Sequence, residues 1–418
     1  MGPTAIFDKS ALQGLNMDEA VWFEAFFLPN LVPVFYVETL ADLEKEVTEG
    51  KSPEDLVGLL AAKTPSNASP NVHHRAIVLA ELTGQGVAMD GRTVISGGQT
   101  KQMPDGSIGV HVEEFLETAA PLRWRNHEFL EIEREIAKGW RAELAQHDPA
   151  PVVSVLSEIL ADEAEISNLA QLKAAIDDLC STGDPQLLAL ACEVLGVPEE
   201  FRKAGLTRWE TAGRPGLYEF APYLTHVFKV DLVYYLGVHR GFISGERASN
   251  KADMAYLYYL PFTMVFISGD NLHRRTVSLF LREDQSYLER DEFKAALGEM
   301  DEHYDQLPDE IKQLGVMRFA SYPPSSIYNA ITSEWDRHMR PDWRETAKSQ
   351  EANVDKPLDA EALKSGTEVK DALERAHPVP DQAAEQAGGP DYMTISRYVP
   401  AQKGKWRIVP EEVDKGED

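Results

Sequence analysis

The stretch Lys251–Arg275, KADMAYLYYLPFTMVFISGDNLHRR, decides how the rest of this 418-residue chain is read. Helical spacing in DMAYLYYL ends at Pro261, which cannot continue a helix. TMVFIS is β-branched and apolar enough to be a buried strand, and NLHRRTVSLFLR returns to helical spacing. Asp253 opens the first helix and Asp270 follows the strand. A buried strand between two helices is the unit of a parallel α/β sheet.

The N-terminus repeats the unit. TAIFD, 4–8, reads as a short buried strand ending in Asp8, and Ser10 in KSALQGL is placed to cap a first helix. NMDEAVWFEAFFL, 16–28, has a helical period that Pro29 stops. LVPVFYV, 31–37, suits a second strand, and ETLADLEKEV then reads as a helix with Glu38 in its first turn. Residues 1–50 and 245–336 thus form two parts of one α/β domain, a parallel sheet flanked by helices.

Between these parts lies an insertion. Residues 51–111 contain the Pro/Ser/Asn-rich TPSNASPN, the helix HHRAIVLAEL and a hairpin or ordered loop in RTVISGGQTKQMPDGSIGVHV, marked by Gly-Gly and Pro-Asp-Gly turns. Residues 112–244 are dominated by helical spacing, including VVSVLSEILADEAE and YEFAPYLTHVFKVDLVYYLG, and read as a helical subdomain. Residues 337–418 form a polar extension, partly disordered around AEQAGGPD or docked as an arm through DYMTISRYVPAQKGKWRIVP.

Composition narrows the function. The net charge of -28, from 69 acidic against 41 basic residues, argues against a broad electrostatic grip on nucleic acid, so any polyanion must meet a local basic patch, a metal or a partner protein. The two cysteines, Cys180 and Cys192, fall in amphipathic helical patterns and read as small apolar groups in a reducing compartment. No leader pattern and no run of about 18 apolar residues is present, so a cytoplasmic protein that does not enter the membrane is expected.

The chemistry is expected at the strand ends. Asp8, Glu38, Asp253 and Asp270 meet at one edge if their segments are neighbours, and an oxygen-rich cage suits a hard divalent cation. Burying several carboxylates together is costly without compensating cations. Each acid also has a plainer role: Asp8 and Asp270 as helix caps, Glu38 as a solvated first-turn residue, Asp253 behind the cap Asn250. Asp42 is a fifth ligand, a hydrogen-bond acceptor behind the ligands or part of a solvated helix face, and Ser10 and Ser268 are caps or donors to the carboxylates. Arg274 and Arg275, with Arg282 on the same helix, either meet a substrate phosphate or balance surface acids. His73 and His74, being adjacent, point apart on a helix and make a poor metal pair, while Tyr256, Tyr259 and Phe262 recur at the spacing of a packed core.

IFDKSAL, VFYVETLADL and KADMAYLYYLPFTMVFISGDNLHRR together resemble the PIN-like family of metal-dependent nucleases. The resemblance spans roughly 4–50 and 245–285 and is split by the insertion. It implies Asp8, Glu38, Asp253 and Asp270 as catalytic metal ligands with Ser268 at the Ser/Thr position, Mg²⁺ or Mn²⁺ as cofactor, and phosphodiester hydrolysis, of RNA before DNA, by metal-activated water. Two other readings stay open. One is a non-catalytic scaffold that offers its helical insertion to a protein partner or a second copy. The other is a small phosphate-ester hydrolase, for which Asp8-Lys9-Ser10 lacks the DxD nucleophile motif.

Overall fold

The computed structural model describes residues 2–45, 50–113, 116–146, 153, 166–182, 184–247, 249–354, 368, 371–381, 391–395 and 397–410. The helical reading of VVSVLSEILADEAE, Val153 apart, and the stretch 384–390 fall outside the described residues.

Strand β1 (Thr4–Phe7) is followed by helices α1 (Lys9–Gly14) and α2 (Met17–Phe26), then by β2 (Leu28–Leu31) and α3 (Pro33–Leu40). After α4 (Pro53–Lys63) come β3 (Ser69–Pro70) and α5 (His74–Leu82). A five-stranded sheet in the order β3-β2-β1-β6-β7 is completed by β6 (Val265–Ser268) and β7 (Ser286–Glu289), every pair parallel. In register, Ile6 lies between Asn30 and Phe266. Ala5, Ile6, Val265, Phe266 and Ile267 are wholly buried, because a parallel sheet is covered on both faces and its strands read as continuous apolar runs. Phe7 meets the ring edges of Phe23 and Phe35, which seats α2 and α3 on β1.

The second strand differs from its sequence reading. VFYV is helical, and the strand lies upstream, at Leu28–Leu31. Pro33 holds the first turn of α3 with φ already helical, which outweighs the β propensity of Val34, Phe35 and Tyr36. Pro29 is tolerated inside β2 because β3 pairs only with Asn30 and Leu31, so on that side Pro29 has no ladder bond to make. Glu38 therefore sits near the end of α3, not in a first turn. Arg282 also leaves its expected helix, which ends at Thr276 with a short 3-10 turn to Leu279; Arg282 pairs with Asp284 instead.

The chain between β3 and β6 is mostly helical. The hairpin β4 (Gln99–Gln102) and β5 (Ile108–Val112) is joined by β8 (His377–Pro378) and β9 (Tyr392–Ile395) into a second sheet ordered β8-β4-β5-β9. Helices α6 (Leu116–Arg125) and α7 (Glu131–Gln146) precede helices at Leu169–Cys180, Pro185–Val194 and Glu199–Thr211. They lead to α8 (Pro222–His239), which is buried along nearly its whole length and shares one apolar cluster with the sheet. Glu81 accepts from the amides of Tyr223 and Leu224 at 3.0 and 2.8 Å, satisfying the start of α8 where water does not reach. Helices α9 (Ser249–Tyr256) and α10 (Asn271–Thr276) flank β6, and α11 (Arg290–Asp305) follows β7.

The end of the chain is strapped to this body by β10 (Gln402–Lys403) and β11 (Trp406–Arg407). Trp406 packs edge-on against Trp22 at 4.8 Å, and Asp301 accepts from both indole N–H groups. No helix among the described residues is long and apolar enough to cross a membrane.

Candidate functional site at the carboxyl edge of the sheet

From β1 the chain builds outward to β2 and β3 on one side, then returns to place β6 and β7 on the other. The crevice between the carboxyl ends of β1 and β6 is the topological switch point, where open α/β sheets bind their ligands. Asp8 leaves β1 into it, and Ser268, Gly269 and Asp270 leave β6 into it.

Asp8 is 4% exposed and is surrounded by donors from the protein itself. It caps α1 by accepting from the Ala11 amide at 2.8 Å. Ser10 Oγ donates to both carboxylate oxygens, at 2.8 and 2.9 Å, and so holds the cap residue in place; Ser10 is not the cap. Ser268 Oγ donates at 2.6 Å, and His273 Nδ1 lies 3.2 Å from the same oxygen. The carboxylate's four acceptor positions are thereby filled.

His273 is the centre of the arrangement. Its ring is wholly buried, its Nε2 is 2.6 Å from the carbonyl of Asp253, and its Nδ1 faces Asp8 and Ser268. Burial alone would strip the ring of its proton, but the Asp8 carboxylate and the negative field of Asp253 outweigh it and carry its pKa up to about 9. An imidazolium donates from both nitrogens, as this geometry requires. Burial pushes Asp8 upward in turn, yet His273, Ser268 and the Ala11 amide hold it below its ordinary value.

Of the other three acids, Asp270 and Glu38 face different partners, and the Asp253 carboxyl feels only the field of its neighbours. Asp270 turns back on its own helix, taking the amides of Leu272 at 2.6 Å and His273 at 3.4 Å, and so caps α10. Glu38 accepts from the Tyr256 hydroxyl at 2.7 Å, and burial keeps its carboxyl above the usual range although Lys9 and Tyr256 oppose the shift. Asp253 is half-buried; desolvation, with Asp270, Glu38 and Asp8 nearby, raises it to about 7 against the pull of His273. The four acids thus share one field but not one focus. Asp42 is bound to Lys9 Nζ at 2.6 Å and Lys45 at 2.7 Å, and Lys9 also donates to the Glu38 carbonyl. Arg274 is paired with Glu289, and Arg275 donates to the Phe242 carbonyl.

Arg290 closes the edge. Gly14 and Gly269 leave a slot for its side chain, which a Cβ at either position would approach to 2.8 or 2.9 Å. His273, Lys9 and Arg290 therefore supply from inside the chain the positive charge that Asp8 and its neighbours need.

These contacts correct the expected metal centre. Among the described residues no group of three or more His, Cys, Asp or Glu side chains is arranged to hold a metal ion. The reason lies in the donors: Asp8 is saturated, Asp270 is spent on a cap, and Glu38 is turned to Tyr256. The expectations of bound Mg²⁺ or Mn²⁺, of a metal-activated nuclease or ribonuclease, and of Asp8, Glu38, Asp253 and Asp270 as its ligand set are withdrawn on this ground. No family model, curated protein or solved structure matches this chain.

Sequence reasoning missed His273, Lys9, Tyr256 and Arg290. The available signal was the spacing of His273, three residues after Asp270, which puts its ring on the helix face turned toward the strand.

The titrations have a testable sign. Folding raises Asp253 from 3.8 to about 7, so its contribution is complete below about pH 4 and is lost as pH rises to 7. His273, raised from 6.5 to about 9, contributes fully below about pH 6.5 and loses that contribution toward pH 9. Asp8, lowered, contributes above its ordinary value and loses that as pH falls. Stability should therefore peak near pH 4, where the Asp253 contribution is still present and that of Asp8 is not yet lost. Between about pH 4.5 and 7.5, Asp253→Asn should escape a loss on the order of 2 kcal/mol that the parent suffers, the figure being reduced for solvent screening. Urea unfolding at both pH values reads it directly; parallel losses in the two proteins would refute the assignment.

Proposed function

We propose that this chain is a non-catalytic scaffold of PIN-like architecture, in which an internal ion-pair network stands where a nuclease of that family would keep its metal. The saturation of Asp8 by four donors, one of them the buried His273 imidazolium, carries this reading. A hydrolase needs a carboxylate free to bind a cation or take a proton at the substrate, or a nucleophile within reach. Asp8 has no free position, Asp270 and Glu38 are held by helix amides and Tyr256, and Asp253, which makes no such contact, belongs to no group of three or more side chains arranged to hold a metal among the described residues. Ser268 is wholly buried, and its hydroxyl proton is committed to Asp8, so the Ser268–His273–Asp8 contacts do not make a nucleophile. For a small phosphate ester the same objection holds, and the arginines nearest the edge are engaged with protein partners.

On this reading the helical insertion, with α8 anchored in the shared core, is the part of the chain that makes external contacts. The test is hydrolysis of labelled single-stranded RNA, single-stranded DNA and p-nitrophenyl phosphate with millimolar Mg²⁺ or Mn²⁺, parent against Asp8→Asn. The scaffold reading expects the two proteins to be indistinguishable from buffer. Turnover by the parent that vanishes in Asp8→Asn would overturn it.

A further inference from the structure

Next to the switch point, beyond the carboxyl ends of β2 and β3, lies a cleft of about 540 Å³ that the ion-pair network does not touch. One wall is the start of α3 with Val32, Tyr36 and Val37; the other is α6 and α7 with Ala119, Ile132 and Ile136. The loop after β3 forms its floor, and Ser96 stands at its rim. Ile132, in the first turn of α7, is 63% exposed, and Leu130, just before that helix, is 49% exposed. Isolated exposed apolar residues need no explanation, but here they share one concavity.

We propose that this cleft binds a small, uncharged, largely apolar molecule carrying one hydrogen-bond acceptor. Volume is the first argument, since sites for small ligands commonly span about 300–1,000 Å³ and sit at the carboxyl ends of parallel strands. Charge is the second. The ionised groups in the wall are Arg123 and Glu133, bound to each other through two contacts at 2.7 and 3.1 Å, and they cancel. Glu133 is filled further by the Tyr36 hydroxyl and the Leu130 amide, leaving it no capacity for a cationic ligand. His73, desolvated and beside Arg75, is held below its ordinary pKa and is neutral near pH 7. An anion would enter a neutral cleft on a chain of net charge -28. Arg123 uses three of its five N–H groups on Glu133 and the Glu128 carbonyl and retains two, on Nε and one terminal nitrogen, which a single carbonyl oxygen can take together.

Binding in this cleft goes beyond the scaffold reading and stands whether or not that reading survives. Nile red, an uncharged apolar dye with a carbonyl, is the probe, titrated into the full chain and followed by fluorescence. One saturable site per chain with a blue-shifted emission is expected. Ile132→Glu, which charges the cleft at an exposed position, and Ser96→Trp, which crosses its rim, should each raise Kd at least about tenfold. Met317→Glu, at an exposed position elsewhere, should leave it unchanged. Equal Kd in all three variants, non-saturable uptake, or tighter binding of the anionic dye anilinonaphthalene sulfonate would overturn the proposal. So would a concentration-dependent dimer in sedimentation that Ile132→Glu dissociates, because a second copy would then occupy the cleft.

Discussion

With His273 replaced by leucine, the free energy of unfolding at about pH 6 should fall by about 3–5 kcal/mol, the usual penalty for removing one partner of a buried ion pair. The loss is not one of volume, since leucine fills a similar space. It arises because Asp8, 4% exposed, would keep its charge among neutral donors only, and because the Asp253 carbonyl would lose its partner at 2.6 Å. Asp8→Asn in the same background should restore part of the loss, since the uncompensated charge is then gone. A double-mutant cycle from urea unfolding should give a coupling above about 1 kcal/mol. Additive effects would mean that His273 and Asp8 are independent, and the network would fail as a unit.

Trp406→Ala should cost about as much, on the order of 3–5 kcal/mol, by the opposite mechanism, loss of apolar packing. Trp406 is 2% exposed between Trp22 and Phe319, with its N–H on Asp301. Its removal opens a cavity against α2 and loosens the strap, whose Lys403 is bound to Glu24 and to the carbonyls of Lys63 and Thr64. Limited proteolysis should then cut near residues 397–410 well before the body is attacked. An unchanged unfolding midpoint would show that the strap contributes nothing to the core it covers.

Much of the sheet was legible because its inner strands are what a buried strand must be. TAIF and VFIS are apolar on both faces, and each leads to an acid that caps the next helix. The α/β class and the convergence of β1 and β6 can be read from those segments. Other elements were hidden for identifiable reasons. VFYV has strand chemistry, and only Pro33 at a helix start together with pairing by Leu28–Leu31 makes it helical. Strand β3 is two residues long, and β7, SYLE, is polar at both ends, so neither reads as a buried apolar run. β9 pairs with β5 at a separation of 283 residues, a contact with no local signature.

The site divides in the same way. The positions of Asp8 and Asp270 at strand ends could be read, because capping and strand termination are local. Ser10 and Ser268 could be read as donors to the carboxylates, but His273 and Lys9 could not, because they matter through distances of 3.2 and 2.6 Å between elements far apart in sequence. A cluster of carboxylates needs cations, and composition cannot say whether a metal ion or side chains supply them. Here a histidine and a lysine that looked incidental do so.

The protonation state of His273 is the most direct test, read from its ring nitrogen shifts by NMR across the titration. An imidazolium persisting through neutral pH and losing its proton at about 9, with that midpoint falling sharply in Asp8→Asn and indifferent to millimolar Mg²⁺, is the predicted result. A neutral ring at pH 7, or a ring that loses its proton when Mg²⁺ is added, would return Asp8 to metal chemistry and contradict the scaffold.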